Sequence, residues 1–341
     1  MLRSLAKIAV HLDLDNAANR LMDAIYSNTN HASHPLVRRF QVLAYHKVSP
    51  DLHPFLEPVH PTVFEQQMQF LSRYYRVMPL LEIVERNLCG DIPDRAVAIT
   101  FDDGYRDNYE YAFPILKKFG LPATVFIPTG AIDTGEALWH DRIFDAFRYA
   151  GVDRASLSHI GLPDVSLEPA DVRQRGLMSV LAMGKELYGE IRLRFVEQIE
   201  KALKPDYPET VNDRMLTWHQ IGEMYQSGIA FGSHTVTHPV LSRIPRHEMV
   251  RELCESKRVL SEHLEAPISS FAYPNGHAAD YNDEVKSVLR ESGYVCAVTC
   301  ERGFNPVFSD PLEIRRGLPW QKQVELFRFA FFLQRHGLMN S

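Results

Sequence analysis

The chain is poor in the features that would direct a protein to a membrane, to nucleic acid or to an oxidising compartment. No stretch approaches the roughly 18 apolar residues of a membrane span. Near the start, Arg3 and Lys7 are followed by His11, Asp13 and Asp15, which interrupt any apolar core of leader length. Residence in the cytoplasm, at most peripheral to the inner membrane, is the expectation. Lys and Arg number 37 against 43 Asp and Glu, a net charge of −6 with no basic stripe to offset it, which argues against a nucleic-acid partner. No phosphate-binding loop is present. Cysteine is scarce: the four residues are Cys89, Cys254, Cys296 and Cys300. The last two lie at an apparent strand, Tyr294 to Thr299, and a zinc ribbon would need a second such pair, so buried free thiols are expected. What remains is globular in character: 341 residues, 45% apolar and 23% charged, enough for one large α/β domain or two small ones.

Hydrophobic periodicity divides the chain. Residues 1–38 read as an amphipathic helical extension running into a polar loop. From Phe40 strands and helices alternate: a strand to Tyr45, a helix from Val63 to Tyr75, a strand from Ala96 to Phe101, a helix from Ala112 stopped by Gly120, and a strand from Ala123 to Ile127. Residues 131–216 break the rhythm with Trp139-His140-Asp141 and a long helical stretch from Pro169 to Leu203. They read as an insertion placed as a lid after a strand end. The alternation then resumes. Thr217 and Gln220 form a capping box, Ile229 to Gly232 reads as a strand, His247 to Glu265 as a helix with Val250, Leu253, Leu260 and Leu264 inward, and Ile268 to Ala272 as a strand. Repeated strand-helix units imply parallel strands with right-handed crossovers. Residues 321–341 form an aromatic helix that packs on the domain or docks on a membrane surface.

Two polar clusters follow apolar strands, where α/β folds place their chemistry. The first is Thr100-Phe101-Asp102-Asp103-Gly104-Tyr105; the second is Gly232-Ser233-His234-Thr235-Val236-Thr237-His238-Pro239. Histidines at i and i+4 can reach one metal ion, and an aspartate completes a set of three that leaves a position for water. The neighbouring carboxylates, directed to opposite sides of an extended chain, would then divide their work between ligand and base. Each cluster alone has a plain reading, a turn for Asp-Asp-Gly and exposed histidines for the second. Their joint occurrence after buried strands favours the metal.

The runs Ala96 to Ile127 and Gly228 to Ile244 resemble the polysaccharide deacetylases, the NodB-homology carbohydrate esterases that remove N-acetyl groups from amino sugars. The likeness extends through Glu252, Ser256 and Lys257, Phe271-Ala272-Tyr273-Pro274-Asn275-Gly276 and Gly293-Tyr294, and takes in Leu43 to Ser49. It covers about residues 40 to 320, and the domain is drawn as 39–320. It implies an irregular (β/α) barrel with a helical insertion, metal ligands Asp103, His234 and His238 for a divalent ion, zinc by expectation, and Asp102 as general base. It also implies an N-acetylhexosamine glycan as substrate, a backbone N–H near Asn275 for the oxyanion, and substrate contacts from Tyr273, Pro274, Asn275 and Trp139. Trp139 either stacks on a sugar or anchors the insertion's core.

Two positions depart from the family. Ala272 stands where many members carry an arginine that orients the base, and the C-terminal Leu-x-His that supplies a proton donor is not evident in Pro311 to Arg316. The bacterial exopolysaccharide and poly-N-acetylglucosamine deacetylases are similar in having a Tyr-His near the start, which makes His46 the candidate acid. Arg315 or Arg316 could orient Asp102, or form a surface ion pair. The alternatives to a deacetylase are a glycan-binding protein that kept the fold but not the activity, and a haloacid-dehalogenase-type phosphatase, whose Asp-x-Asp spacing the adjacent pair lacks.

Overall fold

The computed structural model describes residue 17 and residues 39–335, except 52, 56, 209–213, 318 and 320–322; the expected N-terminal helix lies outside the described residues. In chain order the elements are β1 (Arg39–Tyr45), α1 (Pro61–Tyr74), β2 (Arg76–Val77), α2 (Leu80–Cys89), β3 (Ala96–Phe101), α3 (Phe113–Phe119), β4 (Thr124–Ile127), α4 (Trp139–Arg148), β5 (Arg154–Ala155), β6 (Val165–Ser166), α5 (Ala170–Lys185), α6 (Gly189–Leu203), α7 (Trp218–Gln226), β7 (Ala230–Ser233), α8 (Arg246–Leu264), β8 (Ser270–Ala272), α9 (Asp283–Glu291), β9 (Cys296–Arg302), β10 (Asn305–Pro306), β11 (Ile314–Arg316) and α10 (Val324–Arg335).

The sheet runs β10-β1-β3-β4-β7-β8-β9-β11, with β2 on β3. Every pairing from β1 through β11 along this path is parallel, and β10 adds antiparallel to β1. Gly317, just past β11, closes the ring: its N–H donates to Val42 O at 2.7 Å and its carbonyl accepts from Ala44 N at 3.0 Å. The result is a nearly closed, irregular barrel with helices outside.

Side-chain alternation sorts the strands into two apolar layers. Phe40 and Val42 of β1, Ala96 and Ala98 of β3, Ala272 of β8, Cys296 and Val298 of β9 and Ile314 of β11 cluster together. Leu43, Tyr45, Val97, Ile99, Phe101, Phe271 and Ala297 join a second cluster shared with helix residues such as Phe64, Leu253 and Leu260. The first set is the inward row and the second the row under the helices. Burial on both faces explains why AVAITF is apolar almost throughout.

Residues 131–216 contain α4 to α6 and the β5–β6 hairpin. They carry a core of their own, with Ile143, Phe147, Leu177, Val180, Val196 and Ile199 in its centre. The long helical stretch expected from Pro169 to Leu203 is two helices, because the chain turns at Gly189 with φ of 55°. On α8 the inward residue is Met249, not Val250, which is exposed on the outer face. The capping box of α7 forms as its sequence indicates, with the Thr217 side chain accepting from Gln220 N at 3.2 Å. The thiols depart from expectation: Cys89 and Cys254 are exposed, Cys296 alone is fully buried, and Cys300 is half-buried.

In α10, Phe327 and Phe331 are buried and stack on each other with centroids 5.4 Å apart. Phe327 meets Phe70 of α1 edge-on, and Phe331 meets Tyr75. The aromatic face therefore packs on the domain, and among the described residues no helix is long and apolar enough to cross a membrane. Phe331→Ala is expected to destabilise the protein by about 3 kcal/mol or more, the cost of emptying a buried aromatic site. Urea unfolding measures it, and a change below about 1 kcal/mol would mean that α10 contributes little to the core.

Candidate metal and catalytic site

The inward rows continue past the strand ends and build the site. Phe40, Val42 and Ala44 point His46 to the carboxyl rim, Ala98 and Thr100 point Asp102 there, Cys296 and Val298 point Cys300, and Ile314 points Arg316. Asp102 still follows the ladder, its N–H donating to Tyr45 O at 3.0 Å. Asp103 does not. The chain leaves the sheet there with φ of 69° at Asp103 and 65° at Gly104. The two carboxylates therefore separate through a left-handed turn, not by alternation along an extended chain as the sequence suggested. Gly104 tolerates that turn, and a Cβ on it would come within 3.0 Å of Ile127.

Asp102 and Arg316 form a buried fork-to-fork pair, with Nη1 donating to Oδ1 at 2.8 Å and Nη2 to Oδ2 at 2.6 Å. Arg316 is 0% exposed, and its Nε donates to Thr299 O at 2.7 Å. Burial would raise the Asp102 carboxyl, but the charge and hydrogen bonds of Arg316, then His234 and His46, outweigh it and hold the group below the usual carboxylate range. Arg315 is exposed on the other face of β11. The place taken by Ala272 is thus served by an arginine three strands along the chain, and the pair is buried instead of superficial.

Asp103 Oδ1 lies 3.4 Å from His234 Nε2 and 3.5 Å from His238 Nε2. One ligand atom from each of the three residues falls within 4.8 Å of the others, and all three residues are buried. Asp103 Oδ1 has no hydrogen-bond partner. The His234 ring is fixed by Nδ1 donating to Ala272 O at 2.7 Å, which turns Nε2 toward Asp103. Burial would raise Asp103, yet the close approach of His234 and the neighbouring imidazoles bring it well below its ordinary value. Burial and the charge of His234 push His238 well down. A buried carboxylate whose orphaned oxygen faces two imidazole nitrogens is a donor set that a divalent cation satisfies. The trio fits one.

The histidine loop takes its shape from two left-handed residues, Thr235 with φ of 69° and His238 with φ of 57°. Glu252 of α8 holds its amides, accepting from Val236 N and Thr237 N at 2.8 Å each. Its carbonyls are met from elsewhere. Trp139 Nε1 donates to His238 O at 3.1 Å, Arg192 Nη1 to the same oxygen at 3.1 Å, and Arg192 Nη2 to Thr237 O at 2.6 Å.

A cleft of about 200 Å³ opens over the trio, lined by His46, Asp102, Asp103, His234, His238, Tyr273, Asn275 and Cys300 from the barrel. The insertion adds Trp139, His140, Phe144, Leu181 and Lys185. His46 is one-third exposed at its side chain, with Nε2 3.8 Å from Asp102 Oδ2. Asn275 lies in a left-handed turn with Nδ2 buried and unpartnered. Of the expected substrate contacts, Tyr273, Asn275 and Trp139 line the cleft and Pro274 does not. The Tyr273 hydroxyl is spent on Leu312 O at 3.0 Å and its ring stacks on Tyr281, so it is a wall and not a polar contact. Pro274 is buried but does not line the cleft. Trp139 is 9% exposed, packed among the insertion's core side chains, which is the anchoring alternative. Sequence reasoning missed Cys300, Phe144, Leu181 and Lys185. The first shares the inward parity of Cys296 and Val298; the others carry no signal short of the tertiary structure.

Fold and site together define a (β/α) barrel with an Asp-His-His metal-type cluster and a guanidinium-braced carboxylate at its carboxyl rim. The family model described as polysaccharide deacetylase matches residues 90–297, and the chain belongs to that family. It is 24% identical over 210 residues to the Bacillus subtilis protein YxkH, whose name assigns it to the same family, a stretch that is 62% of this chain and 46% of that one. It is 39% identical over 84 residues to a Staphylococcus aureus poly-beta-1,6-N-acetyl-D-glucosamine N-deacetylase, 24% of this chain and 28% of that one. The chain thus spans less than half the length of these curated relatives. Among solved structures, the Streptococcus pyogenes deacetylase PplD in complex with acetate superposes with a TM-score of 0.56 at 23% identity, covering 82% of this chain and 92% of that one. IcaB from Ammonifex degensii gives 0.56 at 22%, covering 86% and 98%. At these identities the likeness shows the fold.

Proposed function

We propose that the chain hydrolyses the N-acetyl amide of an N-acetylated amino sugar in a glycan or glycan precursor, releasing acetate. The observation that carries this reading is the buried Asp102–Arg316 pair set beside the Asp103, His234 and His238 cluster. A binding protein has no need of a second carboxylate held ionised next to a cation site. The name of the Staphylococcus aureus relative supports the substrate class.

A divalent cation on Asp103, His234 and His238, zinc by our expectation, would supply a Lewis acid and acidify water. Asp102 takes the proton from the attacking water as its oxygen bonds to the acetamide carbon. Arg316 holds both Asp102 oxygens in place and keeps the carboxylate charged despite burial. The oxyanion is met by a donor at Asn275. His46 then delivers a proton to the sugar nitrogen, the C–N bond breaks, and acetate and a free amine leave. The arginine supplied from β11 removes the main reason for reading the chain as an inactive glycan binder.

Acetate release from an N-acetylglucosamine oligomer, assayed with chelator and after zinc is returned, tests the reading. We expect loss and recovery. No release from N-acetylated oligomers by zinc-loaded protein would overturn it. For His46, His46→Gln is expected to lose far more activity on the amide than on an activated acetyl ester, whose leaving group needs no proton, with metal content unchanged. Equal losses on both substrates would make His46 structural.

A further inference from the structure

The insertion reaches the cleft as more than a wall. The left-handed turns of the histidine loop take the carbonyls of residues 235–238 out of regular pairing, and for the buried Thr235 and His238 a carbonyl without a donor would be costly. The turn after β4 meets the first two, Thr129 N donating to Thr235 O at 3.1 Å and Gly130 N to Val236 O at 2.9 Å. The other two, on Thr237 and His238, receive Arg192 of α6 and Trp139 of α4. Arg192 is 3% exposed and lies 5.1 Å from the Trp139 ring, so the two side chains brace each other. Trp139 is itself wedged on α5, where a Cβ on Gly184 would come within 2.6 Å of its ring.

We infer that Arg192 and Trp139 are positioning residues for the metal site: the insertion sets the backbone of Thr237 and His238, and so the placement of the His238 imidazole against Asp103 and His234. The inference rests on that trio binding a cation. It also runs against simple electrostatics. A guanidinium bonded to the backbone of a ligand residue repels the cation beside it, so if charge alone mattered, removing Arg192 would tighten metal binding. Positioning requires the opposite sign.

Zinc affinity of the intact chain, measured by competition with a chromophoric chelator, decides the matter without reference to activity. Arg192→Met keeps the side chain's bulk and removes its fork; the expected loss is about 10-fold or more, the scale seen when partners behind metal ligands are removed. Trp139→Phe keeps a ring and removes one donor, and a smaller loss is expected. Leu177→Ala, in the insertion's core, should lower the melting temperature while leaving zinc affinity unchanged. Zinc bound by Arg192→Met as tightly as by wild type, or more tightly, overturns the inference; so does an equal loss in Leu177→Ala. Should Arg192→Met not fold, Arg192→Lys, which keeps charge and loses the fork, takes its place, and wild-type affinity in both Arg192→Lys and Trp139→Phe overturns it. Failure of the wild-type chain to bind zinc would sink the metal reading itself, a separate result.

Discussion

Asp102→Asn is expected to keep its metal and lose at least about 100-fold in deacetylation rate, the usual scale for removing a general base. Asparagine fills the same space and can still accept from Arg316, so the loss belongs to proton transfer and not to collapse of the site. Asp103→Asn should fail in a different way. It removes the charged member of a three-residue set, so bound metal and activity fall together. Metal analysis beside initial rates separates the two, and identical behaviour in both variants would end the division of labour between the adjacent carboxylates.

Arg316→Met carries the second large effect, on stability. It leaves Asp102 buried, ionised and without its partner, and breaking such a pair costs about 3–5 kcal/mol. The effect should depend on pH with a definite sign. In the wild type the Asp102 carboxyl sits below its unfolded range, so the pair contributes stability above that range that is lost as pH falls through the folded value. Without Arg316 burial dominates and the carboxyl rises, so the folded variant takes up a proton more readily than the unfolded chain. The penalty of Arg316→Met should therefore be largest near neutrality and shrink toward acid pH. Asp102→Asn combined with Arg316→Met should recover part of the loss at neutral pH. Urea unfolding of metal-free protein at two pH values measures this. A pH-independent penalty would mean that the pair matters for packing alone.

Much of the fold was legible because barrel strands buried on both faces are written as apolar runs, as in Ala96 to Phe101, and because capping residues such as Thr217 and Gln220 act locally. The Asp103, His234 and His238 trio was legible for a similar reason, since each cluster directly follows such a run. The left-handed turn at Asp103 was not, because only the glycine after it advertises a turn. Arg316 was half legible. Arginines 315 and 316 were both candidates, and alternation from the apolar Ile314 would have chosen between them had β11 been recognised as a strand. A three-residue strand between loops leaves too short a pattern to read. The roles of Trp139 and Arg192 at the histidine loop were beyond reach, because nothing local to α4 or α6 says that their partners are carbonyls on a loop after β7.

The position of Arg316 bears on how catalytic competence is judged across such barrels. Parallel strands deliver their side chains to one shared rim, so a positive charge needed there can be mounted on any strand whose inward row ends nearby. At Ala272 the arginine position is vacant, and Asp102 is braced from β11 by Arg316 instead. Here that charge stands on the final strand, two residues beyond the inward-facing Ile314, so the rim is completed by the element that also closes the ring.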